Sequence, residues 1–365
     1  MKILIRNARL ITDEVFDILV VDGLIERIGL NLEVEADRVI EVPSNVYVSP
    51  GWIDMHTHAF KHFELYSDGP EEIGYKTGVT CVVDAGTTGA DDMAQFYNDT
   101  RSNITRVYAL VNIAHQGIKT QNELANLRDI QFDSIKKIIE TYPDFILGLK
   151  ARMSASVVGG QGIEPLLIGK SFANRLNLPL MVHVGSTPPD LDLIANTLDK
   201  GDIITHIFNG KENGMYSSDV ILPSILSARN RGVFFDVGHG KESFSFDVAQ
   251  KAFKDGFLSD TISSDIYSRN RLEGPVYSLV HTMNKLLYVG YSPEKIIKSV
   301  TEAPACIMNL SMLGKIRTGL FADLTFYKYD EVNLDLTDSV GKQVHLDKGF
   351  IPVGVLLKGE YYEIK

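Results

Sequence analysis

Lys150 closes an apolar run, Phe145-Ile-Leu-Gly-Leu-Lys150. An ammonium carried into apolar surroundings meets a desolvation cost that drives it toward the neutral amine. Upstream, Asp54-Met-His56-Thr-His58 places two imidazoles two residues apart, hence on one face of a strand, because side chains there alternate with period two. Downstream, His183, His206 and Asp265 each lie at or beside the end of a short apolar run of their own. Nitrogen and oxygen donors without a thiolate suit Zn²⁺, with Mn²⁺, Fe²⁺ or Co²⁺ also accommodated. A lysine among these donors points to a metal-bridging carbamate rather than a salt bridge. Carbon dioxide on the amine turns a costly buried cation into an anion that two cations stabilise.

Such donors need elements that bring them together. Short, β-branched, nearly continuous apolar runs recur near residues 53–58, 79–84, 106–113, 145–150, 179–184, 202–207, 232–237 and 261–265, bounded by Gly, Pro, Asn or Asp. That is the pattern of strands buried on both faces. Between them, stretches such as Ser134-Ile-Lys-Lys-Ile-Ile-Glu140 and Asp190-Leu-Asp-Leu-Ile-Ala195 show helical spacing. Alternating strands and helices predict an α/β fold, a (β/α)₈ TIM barrel over residues 49–313. The C-terminal strand ends of a barrel converge. His56 and His58 would then stand on the first strand, Lys150 on the fourth, His183 on the fifth, His206 on the sixth and Asp265 on the eighth.

The two chain ends read differently. Ile3-Leu-Ile5, Phe16-Asp-Ile-Leu-Val-Val21, a turn at Asp22-Gly23 and Leu24-Ile-Glu-Arg-Ile28 carry hairpin chemistry, and Ala322–Tyr327 and Gly354–Lys358 repeat the style. Neither end has enough strands to be stable alone. Residues 1–48 and 314–365 are therefore expected to combine into one small β-sandwich domain.

Composition narrows the function classes. The 365 residues are 44% hydrophobic and 23% charged, as in ordinary globular chains. A formal net charge of −11 argues against nucleic acid as a partner, since phosphate contacts need clustered Lys and Arg. Two cysteines, Cys81 and Cys306, do not make a disulfide framework and favour a reducing compartment. Neither a signal-like N-terminus nor a run of ~20 apolar residues is present, so a cytoplasmic protein that does not engage membranes is expected. Its partner is expected to be a small-molecule substrate, and association into a homo-oligomer is allowed.

Several motifs resemble the amidohydrolase superfamily in its two-metal form with a carboxylated lysine. Pro50-Gly-Trp-Ile-Asp-Met-His-Thr-His58 is similar to the family's first-strand signature, and Thr301-Glu-Ala-Pro-Ala305, Gly314-Lys315 and Ala322-Asp-Leu-Thr325 to its exit into the β-domain. The loops Lys150-Ala-Arg-Met-Ser154, Phe208-Asn-Gly-Lys-Glu-Asn213 and Asp236-Val-Gly-His-Gly240 are similar to a bacterial dihydroorotase-like or adenine-deaminase-like subgroup. Its members look like hydrolases of acetylated α-hydroxy acids or N-acetyl-D-amino acids. The resemblance implies that His56, His58 and Asp265 hold one metal and His183 and His206 the other. Carboxylated Lys150 would bridge the two, and Asp265 would shuttle the proton. Deamination or cyclic-amide hydrolysis is the alternative activity. A non-catalytic scaffold is disfavoured, because such relatives lose metal ligands.

Dihydroorotase-like relatives carry an Arg two places after the second first-strand His, where this chain has Phe60. A substrate carboxylate would need another anchor, and Arg152 is the first candidate. His239 in its Gly-His-Gly turn, Tyr267 and Arg269 beyond Asp265, and Asn209 and Ser186 close to His206 and His183 are further candidates for substrate contact. His115 reads as a capping residue. His62, His281 and His345 are assigned no site role. Ser156–Gly162 is glycine-rich but lacks the Lys-Ser/Thr of a phosphate cradle.

Overall fold

A computed structural model describes residues 1–364. Seven parallel strands form one sheet, Trp52–Thr57, Val79–Ala85, Arg106–Asn112, Ile146–Met153, Leu180–Val184, Ile203–Thr205 and Phe234–Phe235, with spatial order matching chain order. Parallel neighbours require crossovers, and most are helices, such as Phe132–Thr141 and Glu164–Leu176. The latter stops where Asn177 turns left-handed at φ 54 and its amide bonds back to Ala173 and Asn174. The strands Trp52–Thr57 and Val79–Ala85 are buried at every position, which accounts for their unbroken apolar runs.

The sequence-based expectation of an eighth strand at 261–265 is met only in part. Parallel bridges Asp236–Thr261 and Thr57–Ile266 close the ring. Amides of Val237 and His239 donate to Thr261 and Ser263, and those of Asp265 and His58 to His56 and Ile266. The ladder is not continuous because Asp265 adopts φ 51, and because Ser263 and Ser264 turn their hydroxyls to the buried carboxylates of Asp236 and Asp54. The seventh strand is shortened to two residues for a similar reason, its continuation entering the turn at Gly238 with φ 47.

Two four-stranded sheets lie beside the barrel. Residues Lys2–Arg9, Val15–Val21, Leu24–Gly29 and Arg38–Glu41 make one, and Tyr47–Pro50, Leu324–Thr337, Gln343–Leu357 and Glu360–Glu363 make the other. Ile3, Ile5, Ile18 and Val20 of the first share a core with Val48, Leu324, Phe326 and Leu356 of the second, the face-to-face packing of a sandwich. Among the described residues no helix is long and apolar enough to cross a membrane. Cys81 is buried, Cys306 is exposed, and neither is in a disulfide.

Arg106, at the entrance of the third barrel strand, spans the junction. It forks onto Asp323 with both Nε and Nη2 and lies 4.0 Å from the Phe321 ring centre. Asp323 is 4% exposed, and its carbonyl also accepts from Gly51. Asp323→Ala would strand a largely buried guanidinium. The expected cost is about 3 kcal/mol, read as a lowered urea midpoint, with metal content unaffected because the junction lies at the far end of the strands. An unchanged midpoint would show that the pair does not hold sandwich to barrel.

Candidate active site

The C-terminal strand ends surround a cavity of about 320 Å³. Into it the strands deliver His56, His58, Lys150, His183 and Asp265, with His206 directly behind. His58 Nε2 lies 3.0 Å and His56 Nε2 3.3 Å from Asp265 Oδ1, and Lys150 Nζ lies 3.0 Å from His56 Nε2. The His206 ring centre is 4.4 Å from that of His183 and 5.1 Å from that of His56. Donors separated by up to 209 positions in the chain thus meet within a few ångströms.

Three of the four imidazoles are oriented from behind. Thr87 Oγ1 donates to Asp84 at 2.7 Å, so its oxygen accepts from His58 Nδ1, also at 2.7 Å. Thr205 Oγ1 donates to Asp236 at 2.8 Å and accepts from His56 Nδ1 at 2.9 Å. His206 Nδ1 donates to the Gly238 carbonyl at 2.5 Å, and its Nε2 has no partner although buried. With the proton on Nδ1 in all three, each Nε2 presents its lone pair to the others. Burial holds His56 and His183 well below the usual histidine range and lowers His206 to about 4, so the rings stay neutral.

Burial acts against ionising Asp265, whereas positive charge at His56 and His58 would outweigh it and hold the carboxyl well below its ordinary range; with these rings neutral, a bound cation would supply that charge. A lone pair 3.0 Å from an anionic oxygen is repulsive unless a cation lies between them. His56, His58 and Asp265 indeed form a group whose ligand atoms all lie within 4.8 Å of one another. The donor set and the orphaned His206 Nε2 fit a divalent metal. Lys150 is 1% exposed, and burial lowers its amine to about 7, with Asp265 and Asp236 opposing. Gly86, at φ 77, packs its backbone against the lysine stem where a Cβ would collide. Both His206 and Asp265 sit in the left-handed region, at φ 67 and φ 51. For non-glycine residues this costs on the order of 1 kcal/mol each and is held only by surrounding structure.

The remaining sequence candidates divide. Arg152, Ser186 and Tyr267 line the cavity. Arg152 is 5% exposed, stands 5.4 Å from the Tyr66 ring centre and has Glu123 behind it at 3.3 Å. Arg152 Nη2 donates to the Gln121 carbonyl at 3.4 Å, but Arg152 Nε and both Glu123 oxygens lack an aligned hydrogen-bond partner, and burial raises Glu123 to about 7 despite the arginine. His239, Asn209 and Arg269 do not line the cavity, contrary to their expected substrate contacts. His239 is fully buried, takes a hydrogen bond from Lys285 at 2.8 Å and stacks on Phe244. Asn209 turns back to the His206 carbonyl. Arg269 is exposed and pairs with Glu273 one helical turn on.

Phe60 is buried against Phe63 and Phe96, away from the donors. His115 pairs with Asp91, His62 with Asp99 and His345 with Asp335, while His281 packs edge-on against Tyr277. Sequence reasoning missed Tyr66, Lys211 and Lys241 in the cavity wall, and the buried Asp84 and Asp236 behind it. Asp84 and Asp236 each end an apolar run, the same signal that revealed His183 and His206.

The comparisons with known proteins agree with this geometry. Residues 47–361 match the model of the amidohydrolase family. A deacetylase of Enterococcus faecalis is 43% identical over 364 residues, covering 99% of each chain. A solved structure described as an adenine deaminase superposes with a TM-score of 0.97 at 42% identity, over 99% of each chain. One described as a dihydroorotase gives 0.91 at 33% identity, over 100% of this chain and 98% of the other. A barrel whose strand ends gather neutral imidazoles and a carboxylate, and this likeness along nearly its whole length, establish that the chain belongs to the amidohydrolase family of hydrolytic enzymes.

Proposed function

We propose that the chain is a two-metal hydrolase that removes an acetyl group from a small carboxylate-bearing substrate, an N-acetyl-D-amino acid or an acetylated α-hydroxy acid. One observation carries the reading. The Nε2 atoms of His56, His58 and His206 turn inward around Asp265 and a buried amine, beside walls that hold Arg152, Lys211 and Lys241. In this reading His56, His58 and Asp265 would hold one ion and His183 and His206 the second, with Lys150 as its carbamate contributing to both. Forming the carbamate joins the amine nitrogen to the carbon of carbon dioxide and releases one proton, so it needs the neutral amine that burial favours. Zn²⁺ fits the donors best, with Mn²⁺, Fe²⁺ and Co²⁺ as alternatives. When bound, such a pair polarises the acyl carbonyl and makes a water acidic enough to ionise near neutral pH.

The chain's own residues do the rest. Asp265, ionised and within reach of the attacking water, accepts its proton and delivers it to the departing nitrogen or oxygen. The guanidinium of Arg152 meets the substrate carboxylate, where a charge-assisted contact both holds and orients it. Lys211 and Lys241 add positive potential at the mouth of an acidic protein, drawing the anion inward. Tyr66 and Tyr267, whose rings meet edge-on with centres 5.0 Å apart, form an apolar wall for the acyl or side-chain portion. That the Enterococcus faecalis relative is named a deacetylase agrees with acetyl removal. A purine or a neutral cyclic amide brings no anion to a wall holding Arg152, Lys211 and Lys241, of which Arg152 and Lys211 have only Glu123 at 3.3 Å and Glu242 at 3.9 Å to face. That weighs against deamination, the activity suggested by the adenine deaminase description.

Two outcomes test the proposal. Across a panel of N-acetyl-D- and L-amino acids, acetyl hydroxy acids, dihydroorotate, hydantoins and purines, acetate should appear from an acetyl acid. Arg152→Met should lower its kcat/KM by roughly 10²-fold, the equivalent of losing a charged hydrogen bond of about 3 kcal/mol. Ammonia from adenine with no acetate from any acetyl acid would replace deacetylation with deamination. Second, elemental analysis should find two metal ions per chain in the wild type and at most one in Lys150→Ala, whose kcat should drop by about 10³-fold or more. Full turnover by a metal-replete Lys150→Ala protein would remove the bridging role.

A further inference from the structure

The long hairpin Leu324–Thr337 and Gln343–Leu357 extends beyond what its sheet requires. Its strands run 14 and 15 residues, against a usual five or six. The outer strands pair only with Leu324–Tyr327 and with Gly354–Leu357. From Lys328–Ile351 to Thr337–Gln343 the two strands pair with each other alone, a two-stranded arm that would be marginal by itself. The arm is held at its middle by Asn284, which both donates to and accepts from Phe350, and at its tip by the loop that follows the seventh barrel strand.

Contacts at the tip are specific. Ser339 donates its amide to Phe244 at 2.9 Å and accepts the Phe244 amide on Oγ at 3.2 Å. Its hydroxyl donates to the Gly240 carbonyl at 3.1 Å. Asp338, 2% exposed, takes the amides of Val340 and Lys342 on Oδ1 and that of Phe246 on Oδ2. The Gly240 carbonyl receives a second hydrogen bond from His239 Nδ1 at 2.8 Å, and His239 is fixed in turn by Lys285. Gly240, at φ 55, lies so close behind Asp265 that a Cβ there would meet Oδ2. The same loop carries Lys241 and Ser243 into the cavity wall. Val340 also reaches Gly210, the neighbour of Lys211.

We propose that the hairpin tip, through Ser339 and Asp338, is a positioning element of the active site, fixing the loop Gly240–Phe246 so that Gly240 backs Asp265 and Lys241 faces the substrate. The proposal rests on the barrel mouth being the active site, as read above. Two distant parts of the chain converge on one carbonyl oxygen. Polar anchoring of this kind specifies one loop conformation, where apolar packing alone would allow several. Ser339 and Asp338 touch neither metal donors nor cavity, so they act only through the loop.

Hydrogen exchange and kinetics on the metal-loaded full chain separate this role from bulk stability. In Ser339→Ala the amides of Gly240–Phe246 should exchange about tenfold faster, while the barrel strands, metal content and unfolding midpoint stay near wild type. KM for the substrate identified in the panel should rise more than kcat falls, and Ser339→Thr, which keeps the hydroxyl, should restore both. Asp338→Asn, which retains one acceptor, should shift exchange in the same direction by less. Exchange at 240–246 that is unchanged in both variants, or that rises only together with exchange across the whole barrel, overturns the proposal. The exchange readout needs no substrate, so it stands even where the deacetylation reading fails.

Discussion

The constraint on which the rest depends is electrostatic. Neutral imidazoles turn their Nε2 lone pairs toward one another and toward an ionised carboxylate, with a buried amine 3.0 Å from one of them. Such an arrangement is unfavourable on its own, because buried lone pairs facing an anion have given up their hydration for nothing. Divalent cations bound there would relieve it. The surrounding fold maintains the arrangement: Asp84 and Asp236 fix two tautomers through intervening threonines, and the Gly238 carbonyl fixes a third. The left-handed backbone at His206 and Asp265 aims side chains where regular strand geometry would not.

Much of this was legible in the sequence, and for a physical reason. Strands buried on both faces must be continuously apolar, so a charged or polar side chain at the end of such a run stands out. Lys150, His183, His206 and Asp265 all revealed themselves this way, and the period of two placed His56 and His58 together. The irregular parts did not follow. The segment 261–266 closes the barrel with bridges rather than a full strand, because its serines serve buried carboxylates and Asp265 turns the backbone. No periodicity records a positive φ at a residue other than glycine.

Loops were read least well. His239 sits in a Gly-His-Gly turn beside the donors, and adjacency in sequence suggested substrate contact. The ring instead turns inward to Lys285 and Phe244. Phe60 shows the converse: a position where the resemblance implied a substrate-binding arginine is here packed into an aromatic core. Arg152 kept its place in the cavity wall because it lies on a strand, where alternation fixes direction. Direction is a property of regular backbone. The partner supplied by the hairpin tip, nearly a hundred residues away in sequence, carries no local signal at all.

The central claim is that Lys150 is not an amine in the working enzyme but a carbamate shared between two ions. ¹³C NMR of metal-loaded protein prepared with ¹³C-bicarbonate tests it most directly. The account predicts a single protein-bound carbamate carbon per chain, lost on metal removal and absent from Lys150→Ala. An active wild-type protein holding two metal ions and showing no such carbon would contradict it.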